Sequence, residues 1–339
     1  MRIRAIIWGL AALAVVSSCA KSTKNLSGEL AQREFEAWLS INGQADWEET
    51  ELGSMIISLS PGDVENQSVK DIEENPFLRL EYTVTDLEGN VSETTDEEVS
   101  KRLGKYDKRN YYGPQFSYRG SNNSYAGIEE LLERMGVGGH CKAVIPGWLL
   151  TTSRYSSKQK YLDAMTEISD PKIYEFTIVE SVKDSKEWEL NLIKNTLGEE
   201  WEKADSLAPG IFYVQDRPSD KPDTTFTSGS EVYINYICRR IDGTGIDTNI
   251  ADSAKVFGGS ASGKPVLINW ADNATEITMT SDKSSVITGF AYGIFNMKPH
   301  EKGRVYMTSS YGYPSGSGTF IPSFCPIYFE IEFTEEEDE

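Results

Sequence analysis

Apolar residues along the chain fall into short alternating runs broken by glycine, with two brief helical faces between them. LRLEYTVTDLEGN (78–90) alternates up to a glycine turn, and so does VYINYICRRIDGT (232–244), which predicts a strand running into a turn at each place. Ile128, Leu131, Leu132 and Met135 recur at helical spacing, as do Phe290, Gly293, Ile294 and Met297. Each helical stretch stops at Gly or Pro, and a strand follows, HCKAVIP (140–146) or RVYMTSS (304–310). KIYEFTIVESV (172–182) and PIYFEIEF (326–333) close the two series. Upstream, the segments 34–63 and 187–220 each open with acidic residues carrying aromatics at helical intervals, then a glycine, then an apolar strand. Equivalent positions lie roughly 155 to 160 residues apart, too long for a solenoid and right for a duplicated domain. The expectation is an α+β chain of two domains, 34–182 and 183–334, each an antiparallel sheet wrapped around a short helix.

Charge narrows the partners. The 33 Lys and Arg against 53 Asp and Glu leave a net charge of −20, which repels phosphate backbones and argues against a nucleic-acid partner. The terminal TEEEDE reads as solvated, with 335–339 as an acidic tail. At the other end, Arg2 and Arg4 precede an apolar stretch from Ala5 to Val16, which is too short to span a bilayer. It closes in Val16-Ser17-Ser18-Cys19, which resembles the lipobox of bacterial lipoproteins. That resemblance implies a signal peptide over 1–18, acylation of Cys19, and a polar tether over 19–33 holding a soluble body to a membrane. No Asp follows Cys19, which in lipoproteins of this kind directs the chain to the outer membrane, facing the periplasm.

Cys141, Cys238 and Cys325 remain, an odd number without C-x-x-C spacing, and read as buried small hydrophobes. His140 and His300 have no ligand-spaced partners, so no metal is expected. GGSASGKP (258–265) nearly spells a phosphate loop, but Pro265 stands where Ser or Thr must hold magnesium, so neither a nucleotide nor another cofactor is expected.

The second series carries further landmarks in order. They are Tyr236, RRIDGTGID ending at Asp247, Val286-Ile287-Thr288-Gly289-Phe290, Met297, Tyr311-Gly312, Ile321-Pro322 and Phe329. This order resembles the FKBP-type peptidyl-prolyl cis-trans isomerases, over residues 210–333. The resemblance implies two FKBP-like domains, with proline-containing segments of unfolded or exported proteins as partners. By position it implies Phe290 as pocket floor, where the family usually has Trp. It implies walls of Tyr236, Ile246, Ile277, Val286, Ile287, Ile321 and Phe329. The Tyr311 hydroxyl and the Ile287 N–H would hold substrate carbonyls, and Asp247 would face the carbonyl being twisted. SSYGYPSGSGTFIP (309–322), a linker by composition, becomes the pocket rim.

Departures follow from the same comparison. Ile246 and Ile277 stand where the family places Phe, and about twenty extra residues within 250–275 separate Asp247 from Ile277. In the first copy Tyr82 matches Tyr236, but Ser92 and Glu93 fall at Ile246 and Asp247. Ser124, Tyr125 and Ile128 replace the Val-Ile and Phe, and IPGWLLTTS (145–153) has no Tyr-Gly. The resemblance therefore implies a degenerate first domain and an isomerase second domain. The alternative is an FKBP-like lipoprotein that binds chains without turnover.

Overall fold

The computed structural model describes residues 26–334, so the expected signal peptide, Cys19 and the expected acidic tail lie outside the described residues. Helix α1 (Ser27–Asn42) begins within the stretch expected as a tether. Its Ala31 and Phe35 are buried, and Phe35 meets the Trp148 ring edge-on at 5.4 Å. Tertiary packing, which polar AKSTKNLSGEL does not announce, holds that helix.

After α1 come β1 (Glu48–Glu49), β2 (Met55–Ser60), β3 (Asp63–Ser68), β4 (Phe77–Thr85), β5 (Val91–Thr94) and α2 (Glu97–Arg102). Then follow β6 (Gln115–Tyr118), α3 (Ala126–Leu132), β7 (Gly136–Val137), β8 (His140–Ile145), α4 (Lys158–Ala164) and β9 (Lys172–Val182). The second half opens with α5 (Ser185–Leu197), β10 (Asp205–Ala208), β11 (Ile211–Arg217), β12 (Glu231–Arg240) and β13 (Gly245–Thr248). It continues through α6 (Ala251–Phe257), β14 (Val266–Asn269), β15 (Thr278–Met279), α7 (Thr288–Asn296), β16 (Lys302–Met307) and β17 (Ile327–Thr334).

The first sheet runs β1-β2-β8-β9-β4-β5, with β6 also on β4; the second runs β10-β11-β16-β17-β12-β14-β15, with β13 also on β12. Every pairing in both is antiparallel. The central order β2-β8-β9-β4 thus has the same sequence of connections as β11-β16-β17-β12. Along β17 burial alternates strictly, with Ile327, Phe329, Ile331 and Phe333 inward, as a half-buried strand requires.

Helix α7 lies close on this sheet because it carries glycine where it touches. A Cβ on Gly293 would fall 2.7 Å from Val305, and one on Gly289 would fall 2.4 Å from the Met307 sulfur. The extra residues are absorbed into the sheet and its flank. Phe257 of α6 packs its ring on Gly245, β14 joins β12, and a turn at Ala274–Glu276 leads to β15. Cys141, Cys238 and Cys325 are free and buried.

The first half encloses a charged pair. Arg119 and Glu129 are both buried and meet at 2.7 Å (Nη2 to Oε2), and Arg119 Nη1 also donates to the Val69 carbonyl. Ser124 Oγ donates to Glu129 Oε1 at 2.5 Å.

Candidate active site

Four predicted residues converge where β12, β13, β17 and α7 meet. Phe290 and Phe329 pack with ring centres 4.8 Å apart at 62°, and the Tyr236 ring lies 6.0 Å from each. Such tilted contacts between quadrupoles make a rigid apolar floor. Asp247 of β13 is exposed and stands opposite Cys238, and the Tyr236 hydroxyl donates to its Oδ2 at 2.8 Å. Burial first, then the Asp247 charge and hydrogen bond, push the Tyr236 hydroxyl well above its ordinary pKa, so it remains a donor.

Tyr236 is held by its own backbone as well. Thr248 Oγ1 donates to the Tyr236 carbonyl at 2.6 Å, and the Tyr236 N–H donates to Asn249 Oδ1 at 2.8 Å. The buried Asn249 amide in turn donates to Asn235 Oδ1 (2.8 Å) and the Lys264 carbonyl (2.9 Å). Asn249 thereby ties the start of the extra segment to β12. Thr248 and Asn249 escape a sequence reading centred on Asp247, although a polar triplet ending a strand is the signal that marks them.

Ile287 is the N-cap residue of α7 (φ −56°, ψ 133°), so its N–H lies ahead of the first intrahelical bond. It is half-buried, like Ile246 and Val286, and all three pack on the same core as the aromatic floor. Ile321 is buried in that core.

The other two predicted residues are Ile277 and Tyr311. Ile277 is 1% exposed behind the Ala274–Glu276 turn and offers no surface to a ligand. Beside β12 runs β14, whose half-buried Val266 lies opposite Ile234 and packs on the same core. The extra segment contains β14. Tyr311 and Tyr313 are both half-buried and pack on the same core. Tyr311 ends the Ser309–Tyr311 turn with its ring edge 3.3 Å from where a Gly210 Cβ would stand. Tyr313 follows two residues after that turn. Burial first, then Cys238 and Asp247, push its hydroxyl pKa up to about 12.

The first half keeps part of this frame. Tyr82 donates its N–H to Thr95 Oγ1 at 2.9 Å, and Glu93 stands opposite Val84 as Asp247 stands opposite Cys238. Ile128 replaces the floor ring, and Thr151 falls where Tyr313 follows the corresponding turn.

Residues 223–334 match the sequence pattern of the family described as FKBP-type peptidyl-prolyl cis-trans isomerase. Among solved structures, the chain is similar to a peptidyl-prolyl cis-trans isomerase from Pseudomonas syringae pv. tomato, at 20% identity over 44% of this chain and 92% of that one, with a TM-score of 0.32. It is also similar to the three FKBP domains of wheat FKBP73, at 12% identity over 83% and 93% of the two chains, with a TM-score of 0.28. No curated protein sequence matches it.

Proposed function

We propose, from an FKBP-type peptidyl-prolyl isomerase domain at residues 223–334, that the protein is a lipid-anchored prolyl isomerase of the periplasm, working on exported chains with its turnover in the second half. The observation that carries the reading is the Tyr236–Asp247 pair poised at the edge of the Phe290–Phe329 floor. Rotation about an X-Pro bond meets a barrier of about 18–20 kcal/mol, because twisting removes amide resonance. The twisted amide carries less charge separation than the planar one, so a dry aromatic floor favours it. The Ile287 N–H and the Tyr313 hydroxyl are the donors for substrate carbonyls, and Asp247 faces the carbonyl being twisted. Uncatalysed isomerisation takes roughly 10–100 s, slow enough for such an activity to hasten folding.

A proline-peptide isomerisation assay on the full chain tests this. Tyr313→Phe should lower kcat/KM about two- to tenfold, the value of one neutral hydrogen bond of about 0.5–1.5 kcal/mol. Tyr311→Phe should stay near wild type. The opposite ranking would return the donor to Tyr311. Ile246 and Phe290, where the family has Phe and Trp, favour a second reading, a module that holds proline-containing segments without turnover. Peptide binding with no acceleration would select it.

The anchor rests on MRIRAIIWGLAALAVVSSC. Cys19→Ala should leave an unprocessed, unacylated precursor, since only that sulfur can take the diacylglyceryl group. Fatty-acid labelling and membrane partition checks it, and a variant that labels and partitions normally removes the anchor from the reading.

A further inference from the structure

The rim of the site is held from outside its own half. The Tyr111 N–H donates to the Thr319 carbonyl at 2.9 Å, and Thr319 Oγ1 donates to Asn110 Oδ1 at 2.5 Å. The Arg109 guanidinium lies 4.5 Å over the Phe320 ring. Buried Arg240, at the end of β12, donates from one nitrogen to both the Phe320 carbonyl (2.8 Å) and the Arg109 carbonyl (2.5 Å), and so clips the two segments together. Further along, Phe324 meets the rings of Phe77 (5.2 Å) and Phe116 (5.0 Å). Beside the rim, Lys108 donates to the Val256 carbonyl in α6. Backbone, side chain and ring contacts from 108–116 therefore reach the rim and the helix that follows Asp247.

The rim needs such support. It contains Gly316 and Gly318 at φ +77° and +55°, residues that lose the most conformational freedom when fixed. Its internal ties include a Ser317–Ile321 backbone bridge, the Gly316 N–H to the Tyr313 carbonyl at 3.0 Å, and Ser323 Oγ to the Ser315 carbonyl at 3.1 Å. Thr319 and Phe320 sit between Tyr313 and Ile321, so fixing the first pair fixes the second. At its base, buried Glu189 of α5 accepts from the Ser309 N–H (2.5 Å) and Ser309 Oγ (2.7 Å), which pins the turn from which the rim departs.

We infer that residues 108–116 of the first half are a brace for the substrate rim of the second, and that Arg109 and Asn110 are positioning residues for its proline site. The segment lies outside the stretch that matches the isomerase family, and the role needs no site in the first half. The inference rests on the rim contacting substrate, as in the proposed function. By ordering the rim before a proline segment arrives, the brace lowers the entropy that binding must supply.

The test uses the full chain, with amide hydrogen exchange over 312–324 and kcat/KM on a proline tetrapeptide. Arg109→Ala and Asn110→Ala should raise rim exchange about tenfold while β12 and β17 stay protected. They should lower kcat/KM about three- to tenfold, the scale of one lost cation–π contact for Arg109 and one lost hydrogen bond for Asn110. Thr319→Val should behave alike, and Thr319→Ser, which keeps the hydroxyl, should restore both readouts. Exchange that stays at wild-type level overturns the brace, and so does faster rim exchange with unchanged kcat/KM. Should Arg109→Ala loosen both halves evenly, the exposed Thr319 pair of variants decides. If the wild type shows no turnover, the isomerase reading fails, while rim exchange still supports or overturns the brace.

Discussion

Phe290→Ala should destabilise the second half by about 3–5 kcal/mol, the usual cost of emptying a buried aromatic site, and should remove measurable isomerase activity. Phe290 is 7% exposed, and its ring is wedged between Phe329 and Tyr236, so its loss leaves a cavity against both. A core role and a floor role both predict the fall in melting temperature. Phe290→Leu separates them, because it refills most of the apolar volume but offers no flat face for a proline ring. Its melting temperature should return most of the way to wild type while kcat/KM stays low. If rate and stability recover together, Phe290 is core alone and the floor must be sought elsewhere.

A comparable loss is expected in the first half from Arg119→Ala, about 3–5 kcal/mol, because the change strands a buried carboxylate. Burial pushes Glu129 up, but hydrogen bonds from Arg119 and Ser124 and the Arg119 charge outweigh it, so Glu129 ends below its ordinary value of 4.5. A carboxylate with a depressed folded pKa contributes stability above its unfolded pKa, and that contribution fades as pH falls through the folded pKa. Denaturant melts at about pH 7 and about pH 3.5 should therefore show the gap between wild type and Arg119→Ala narrowing in acid. A gap that is the same at both would mean the pair contributes packing and not charge.

Much of the site lies open in the sequence because its parts are local. Tyr236 and Asp247 sit on adjacent strands joined by one glycine turn, and Phe290 and Phe329 fall on periodic buried faces. Tyr311 and Tyr313 are not told apart by the sequence, since YGY offers the same ring and hydroxyl at two positions. The enclosure of Ile277 is not legible, because nothing in the composition of 250–275 says that the extra length contains β14. The α1 helix from Ser27 depends on what Phe35 packs against, and the Asn110–Thr319 contact joins residues 209 apart. Contacts of that range leave no periodicity to read.

The place of β17 has a consequence for how the chain is made. In the second sheet β17 alone stands between β10-β11-β16 and β12-β14-β15, and in the first β9 stands likewise between β1-β2-β8 and β4-β5. Each sheet therefore exists as two separate leaves until its last-synthesised strand arrives. Emerging from its N-terminus, the chain can complete the first half once residue 182 is free. Tyr236 and the Val305–Met307 edge under α7 remain on different leaves until the eight residues Ile327–Thr334 are released. The keystone is laid last, and it carries Phe329 with it.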